Sequence, residues 1–209
     1  MATEKTVGRL SLYRRIAQEL AAQGQPYVFS HALAQRAGVT AAQVRRDMMA
    51  ARVCGSPSRG YAIGELIDRI GRFIHAADVE PVALVGVGNL GRSLLAHFLG
   101  RSPHLEIAAA FDNDPDKVNR VVQGTRCYPM EELERVIRER GIITAVLTVP
   151  ASAAQAAADR LARAGIRGLL NFAPVPLRLP ADVHVQHIDI TVALEKAAFF
   201  ARKFQPARK

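Results

Sequence analysis

The sequence lacks tryptophan, and aromatic residues make up only 6% of it. Its two cysteines, Cys54 and Cys127, stand far apart and predict free thiols rather than a disulfide framework or a metal site. No apolar run approaches the roughly 20 residues that a membrane-spanning helix needs. The first twenty residues contain charged side chains and no apolar leader core. We therefore expect a cytoplasmic protein with no membrane segment and no bound metal.

Acidic residues are scarce in the first 62 residues. Nine lysines and arginines stand there against Glu4, Glu19 and Asp47, which gives +6 of the net charge of +9. A small basic segment joined to a nearly balanced one indicates a polyanionic partner such as DNA. A solvated basic face is the alternative, which charge alone leaves open.

The length of 209 residues, 49% of them apolar, allows one large domain or two small ones. Near Glu80 and Pro81 the pattern changes from short helical segments to apolar β-rich runs that alternate with helical stretches. We expect a DNA-binding domain with a linking helix over residues 1–80, an α/β domain with a parallel sheet over 81–190, and a terminal helix and tail over 191–209.

The first segment has the pattern of a helix-turn-helix. Leu12, Ile16 and Leu20 repeat at helical spacing and predict the first helix. Ser30 is a candidate cap for a second helix over 31–37. A third helix follows, and together they form a helix-turn-helix; the later helix of such a pair normally enters the major groove, where its side chains reach bases and phosphates.

The third helix opens after a turn at Gly38, where Thr40 and Gln43 fit a capping box. The turn-rich stretch 54–61 is a candidate hairpin wing, and the apolar pattern over 66–74 predicts the linking helix. We expect DNA contacts from the third helix and the wing; the candidate residues are Thr40, Gln43, Arg45, Arg46 and Arg59.

The second segment predicts a sheet with crossover helices. The expected strands are 82–85, 107–111, 143–149, 168–171 and 183–188. The expected helices follow the glycine motif to about residue 99 and cover 131–140, 151–164 and 191–203.

The motif Gly86-x-Gly88-x-x-Gly91 follows a predicted strand and opens a predicted helix, as a dinucleotide-binding turn does. Asp112 comes 21 residues after the last glycine, close to the interval expected for a carboxylate that accepts hydrogen bonds from ribose hydroxyls. No arginine follows it at once, so NAD(H) is favoured over NADP(H). Another nucleotide, or none, is the alternative. The candidate cofactor-binding residues here are Gly86, Val87, Gly88, Asn89, Leu90, Gly91 and Asp112.

A dehydrogenase needs a substrate pocket and a positioned acid or base beside the nicotinamide. The predicted nucleotide domain uses the chain to about residue 190, so no substrate domain is left, and the histidines show no spacing of a catalytic pair. We therefore expect a sensor and no catalytic residues.

Several stretches together resemble the Rex family of redox-sensing transcriptional repressors over nearly the whole chain. They are RL at 9–10, YRR at 13–15, GVTAAQVRRD at 38–47, GVGNLG at 86–91, AFDNDPDKV at 110–118, LTVPA at 147–151, GIRGLLNFAP at 165–174 and IDIT at 188–191.

This resemblance implies a winged-helix domain, a Rossmann domain and a domain-swapped C-terminal helix in a homodimer. It implies that NADH and NAD⁺ compete and that NADH releases the protein from an inverted-repeat operator. Two loops are implied to approach the nicotinamide: Thr148, Val149 and Pro150, and Asn171, Phe172, Ala173 and Pro174. Arg15 and Asp189 match positions that link the DNA domain, the swapped helix and the cofactor, and His97 is a third candidate residue of this interdomain and dimer switch.

The chain departs from the family pattern in three places. The third helix continues as Met48-Met49-Ala50-Ala51-Arg52, the wing has few glycines, and His97 stands where the family commonly has tyrosine in the first Rossmann helix. Two alternatives to a redox-responsive repressor stay open: a nucleotide-sensing regulator whose DNA target has changed or been lost, and a small NAD-dependent oxidoreductase.

The terminal helix carries Val192, Leu194, Phe199 and Phe200, which are too apolar for a free tail. Such a patch normally marks an interface, here between two copies of the chain. Docking onto the chain's own Rossmann domain is the alternative.

Overall fold

A computed structural model describes residues 2–75, 78–100 and 104–204. The chain forms two compact units, Met1–Asp78 and Val79–Lys209. The described part of the first unit contains α1 (Glu4–Ala22), β1 (Tyr27–Val28), α2 (Ser30–Ala37), α3 (Ala41–Ala50), β2 (Tyr61–Ala62) and α4 (Ile63–Ile74), and β1 pairs antiparallel with β2.

The helices of the first unit enclose one apolar core. Leu10, Leu33, Val44, Met48 and Leu66 are fully buried in it. Each such side chain contributes about 1.5–3 kcal/mol through burial. The predicted linking helix, α4, therefore belongs to this core instead of standing apart from it.

The helix-turn-helix is confirmed, with two local corrections. Gly38 adopts the left-handed conformation (φ 66°) that ends α2, and the Thr40 hydroxyl caps α3 by accepting the Gln43 N–H at 3.2 Å. Ser30 is not a cap, because α2 begins at Ser30 itself. Its Oγ accepts a hydrogen bond from Arg45 Nη1 at 3.4 Å. The Gln43 side chain does not complete the capping box, because it donates to Asp47.

The wing is a short hairpin. Ser56 and Gly60 exchange two backbone hydrogen bonds of 2.7 and 2.8 Å, and β2 follows directly. Gly60 has φ 77° and lies against the Val28 carbonyl, so a larger residue does not fit there. The wing is therefore attached firmly to β1.

The second unit contains a seven-stranded sheet among its described residues, with helices on both faces. Its elements are β3 (Glu80–Val85), α5 (Asn89–Phe98), β4 (Leu105–Asp112), β5 (Val121–Val122), β6 (Thr125–Pro129), a 3₁₀ turn (Met130–Glu132), α6 (Leu133–Glu139), β7 (Thr144–Leu147), α7 (Ala151–Ala164), β8 (Gly168–Asn171), β9 (His184–His187) and α8 (Ile190–Lys203). The sheet order is β5-β6-β4-β3-β7-β8-β9, parallel except where β5 meets β6.

Without the edge strand β5, this order is that of the Rossmann fold. The expected fold class is confirmed. We did not predict β5 and β6, because Thr125 and Cys127 fill buried positions of β6 without forming an apolar run. The helix expected over 131–140 begins as the 3₁₀ turn and continues as α6.

The terminal helix α8 is present, one residue longer at its start than expected. All of its side chains are exposed. Its exchange between two copies of the chain stays a prediction, and the predicted tail over 205–209 lies outside the described residues.

Candidate functional site

The glycine turn lies between β3 and α5, and its three glycines have different surroundings. A Cβ on Gly91 would collide with the Gly86 carbonyl oxygen, and one on Gly86 (φ 97°) would lie 2.7 Å from the Thr148 carbonyl oxygen. A Cβ on Gly88 would meet nothing within 4 Å. Packing therefore requires Gly86 and Gly91, whereas the space beside Gly88 is open to a ligand.

The turn stands at the switch point of the sheet, where crossovers reverse direction. β3 pairs with β4 on one side and with β7 on the other. The Thr148 hydroxyl, just after β7, donates a hydrogen bond to the Gly86 carbonyl oxygen at 2.7 Å. Ligands of open α/β sheets bind in the crevice at this place.

A cavity of about 560 Å³ opens beside the turn. Gly86 and Gly88 form one side, Val149 and Pro150 line another part, and three alanines of α7 make an apolar wall. Val87 is buried, and Asn89 and Leu90 are exposed at the start of α5. The free N–H groups of a helix start favour phosphate oxygens.

Asp112 ends β4 at the edge of this cavity. Its Oδ2 accepts the Val87 N–H at 2.6 Å, and its Oδ1 accepts the Asp114 N–H at 2.9 Å. The carboxylate is thus fixed by backbone donors on both oxygens.

Lys117 lines the same cavity, and its role was not predicted from the sequence. Its Nζ lies 3.5 Å from Asp112 Oδ2 and 3.0 Å from Asp114 Oδ2. The hydrogen bond to Asp114 is the main reason that the pKa of Lys117 is raised. The Asp-x-x-Lys spacing of Asp114 and Lys117 was the available sequence signal.

The second predicted loop is not in this cavity. The Asn171 side chain is buried and donates to the Ala173 and Val175 carbonyl oxygens at 3.2 and 3.0 Å, which fixes the turn after β8. Phe172 packs on the α5 face of the sheet. Ala173 and Pro174 line a smaller cavity of about 190 Å³ that also includes Asp189.

The three predicted switch residues lie apart along the chain. Arg15 is exposed on α1, and His97 is exposed near the end of α5 with its ring edge-on to Phe98 at 5.4 Å. Asp189 caps α8, because its Oδ1 accepts the Val192 N–H at 2.9 Å. Their joint role stays a prediction.

The predicted DNA-binding residues lie on α3 and the wing. Arg45 and Arg46 are exposed, and Arg46 donates to the Gln43 side-chain oxygen at 2.8 Å. Arg59 stands over the Tyr27 ring, with its guanidinium carbon 5.9 Å from the ring centroid. These side chains form a cationic surface suited to phosphates.

Asp47, on the inner face of α3, holds this surface to α1. The carboxylate is 3% exposed and accepts hydrogen bonds from Arg9 (2.6 and 2.8 Å), Gln43 (2.8 Å) and Tyr13 (3.0 Å). Burial alone raises the pKa of Asp47, but the hydrogen bonds from Arg9, Gln43 and Tyr13 outweigh it, so the pKa lies below its usual range. Burial and the bond to Asp47 raise the pKa of Tyr13 to about 12.

Within the described ranges, no three His, Cys, Asp or Glu side chains are grouped to hold a metal ion. None of the helices in those ranges combines the length and apolar character that crossing a membrane requires.

Comparison with known proteins gives matches in both units. Residues 78–175 match the family model described as "CoA binding domain", and residues 3–48 match the one described as "Putative DNA-binding protein N-terminus". The redox-sensing transcriptional repressor Rex of Listeria welshimeri is 36% identical over 205 residues, which cover 98% of this chain and 95% of that protein.

Solved structures of RSP, a Rex-family repressor, are also similar. Its complex with β-NAD⁺ and operator DNA has a TM-score of 0.89 at 26% identity and covers 97% of this chain and 94% of that one. Its complex with β-NADH has a TM-score of 0.85 at 25% identity and covers 97% and 95%. The identity to the Listeria protein along almost the full length confirms the resemblance, and this chain belongs to the Rex family of redox-sensing transcriptional repressors.

Proposed function

We propose that this chain represses transcription by binding operator DNA through residues 1–80 and is released when NADH binds within residues 81–190. The observation that carries the proposal is the open space at Gly88 beside the fixed carboxylate of Asp112, at the switch point of a Rossmann sheet. The same chain carries an exposed cationic helix. RSP, a similar protein, was crystallised with β-NAD⁺ and operator DNA and with β-NADH.

In this proposal α3 enters the major groove. Arg45, Arg46 and Gln43 reach bases or flanking phosphates, Thr40 at the helix start faces a phosphate, and Arg59 of the wing contacts phosphate or the minor groove. Arginine suits this role because its planar fork binds phosphate in a bidentate manner.

The nucleotide lies along the carboxyl edge of the sheet. Its pyrophosphate meets the start of α5, at Gly88, Asn89 and Leu90, and Asp112 accepts ribose hydroxyls. NADH and NAD⁺ share these groups, so discrimination arises at the nicotinamide, which is cationic only when oxidised. The loop at 148–150 lines the cavity beside the glycine turn, and in this proposal the loop at 171–174 meets the nicotinamide from outside that cavity. Both loops are largely apolar, and an apolar closed pocket disfavours the unpaired cation.

The chain acts as a homodimer in the compartment that holds the chromosome, the cytoplasm. Leu194 is 68% and Phe200 54% exposed on α8, an apolar face that a second copy covers by helix exchange. Two-fold symmetry suits an inverted repeat. Arg15, Asp189 and His97 couple pocket closure to the separation of the two recognition helices.

The bound nucleotide is sensed and not consumed. Relatives such as the Listeria protein are named repressors, and the described residues form no substrate domain beside the nucleotide site. Hydride transfer requires a substrate beside the nicotinamide, and the proposal assigns no such reaction to this chain.

The test is fluorescence anisotropy of a labelled inverted-repeat operator duplex with each nucleotide titrated separately. We expect NADH to raise the Kd for DNA and NAD⁺ to leave it nearly unchanged. The Gly88→Val variant is the control: it keeps DNA binding and loses the NADH response, because its side chain fills the pyrophosphate space. A Kd for the operator duplex that does not change when NADH is added would refute the proposal.

A further inference from the structure

We propose that Lys117 is a specificity-determining residue of the nucleotide site, and that it gives the site a measurable affinity for a 2′-phosphate on the adenosine ribose. The inference rests on the proposed function, in that it assumes an adenine dinucleotide bound beside Asp112. It goes further by naming a second ligand class, the 2′-phosphorylated nucleotides.

The position of the ammonium group is the first step. Nζ of Lys117 lies 3.5 Å from the same Asp112 oxygen that accepts the Val87 N–H. It also lies 3.0 Å from Asp114 Oδ2, which holds it at the cavity wall. The cation therefore stands where the hydroxyls of a ribose bound to Asp112 arrive.

The local charge is the second step. Asp112 alone repels a 2′-phosphate, which carries about −1.5 to −2 at neutral pH, as other phosphomonoesters do. Lys117 cancels one of the two negative charges of Asp112 and Asp114. The Arg92 guanidinium adds positive charge at longer range. The pKa of Asp114 is lowered first by the hydrogen bond from Lys117, then by that from the Asp116 N–H, and to a smaller extent by the charge of Arg92.

The exposure of Lys117 is the third step. Its side chain is 22% exposed and lines the cavity, so the ammonium is within reach of a phosphate bound there. An ammonium on a flexible stem is a common phosphate ligand. The site consequently binds NADH more tightly because of Asp112, but it also binds NADPH with measurable affinity because of Lys117.

The experiment is calorimetry on the full chain with two ligand pairs that differ only in the 2′-phosphate: NADH with NADPH, and AMP with adenosine 2′,5′-bisphosphate. Lys117→Met is compared with Lys117→Arg, and Lys5→Met is the matched control, because Lys5 is exposed on α1 in the other unit. Circular dichroism and AMP binding verify that each variant folds.

We expect Lys117→Met to weaken both 2′-phosphorylated ligands about tenfold more than their unphosphorylated partners, the order expected for one charge-assisted hydrogen bond. Lys117→Arg and Lys5→Met should keep the ratio of the unaltered chain. If NADH binds and the ratio is the same in Lys117→Met, this inference is overturned alone. If the unaltered chain binds neither NADH nor AMP, the proposed function is overturned together with it.

Discussion

Replacing Asp47 by asparagine should loosen α3 from α1 and so disturb the DNA-binding surface. The change keeps the size of the side chain and removes its charge. Four donor–acceptor pairs at 2.6–3.0 Å converge on the carboxylate. An asparagine presents an NH₂ group to some of these donors, so at least one interaction with Arg9 becomes repulsive.

The magnitude follows from burial. Removing one partner of a buried ion pair costs about 3–5 kcal/mol. Asp47 is 3% exposed, but Arg9 is 24% exposed and regains water when the carboxylate is removed. We therefore expect the lower end, about 3 kcal/mol, a large part of the roughly 5–15 kcal/mol that stabilises a typical domain.

The pH dependence has a definite sign. The pKa of Asp47 is lower in the folded chain than in the unfolded one. Its contribution is therefore present above the unfolded value, about 3.9, and is lost as the pH falls through the folded value. The loss of unfolding free energy in Asp47→Asn should therefore be larger at pH 7 than at low pH. The unfolding free energy of this variant should also fall less steeply as the pH is lowered.

Hydrogen exchange with mass spectrometry measures the opening of α3 separately from the second unit. Asp68→Asn, the same change at an exposed position of α4, is the control. Faster exchange across α3 in Asp47→Asn at pH 7, with unchanged exchange in β3 and β7, is the expected result. Equal α3 protection in both variants would show that the carboxylate does not hold the helix.

Three further perturbations separate folding, binding and assembly. Gly88→Ala should fold and bind NADH more weakly, whereas Gly91→Ala should unfold the second unit, because only the Cβ at position 91 meets backbone atoms. Thermal melts with and without NADH distinguish the two variants. Arg45→Ala with Arg46→Ala should weaken operator binding, and the slope of log K against log salt concentration should fall by about one for each phosphate that is no longer neutralised. Anisotropy at several salt concentrations measures both, and unchanged affinity would reject α3 as the DNA-reading helix. Deleting residues 191–209 should convert the dimer to a monomer in light scattering, and a truncated chain that stays dimeric would reject the helix exchange.

Much of the fold was predictable because its signals are local. The left-handed Gly38, the Thr40 cap and the glycine turn each depend on a few neighbouring residues, and all three were expected. Family resemblance extended these signals to the whole chain. By contrast, β6 pairs with β4 and has buried positions but carries no apolar run of its own, so the sequence pattern did not reveal it.

The candidate site was predicted only in part, for the same reason. Asp112 was expected from its spacing, but Lys117 matters through its distance to Asp112 in space. Asp47 likewise joins Arg9 over 38 positions of sequence, an ion pair that no local pattern encodes. Asn171 is expected at the nicotinamide, which stays a prediction; its buried side chain also fixes the turn that follows β8, a role that the sequence did not indicate.

The reciprocity of the two ligands tests the central claim most directly. If NADH releases the repressor by selecting a second shape of the dimer, operator DNA must weaken NADH binding by the same factor that NADH weakens DNA binding. Calorimetric titration of NADH, with and without saturating operator duplex, measures this factor. We predict a weakening in the range of about 5–150-fold, typical of allosteric coupling. Equal NADH affinity in both titrations would contradict the account, however tightly each ligand binds alone.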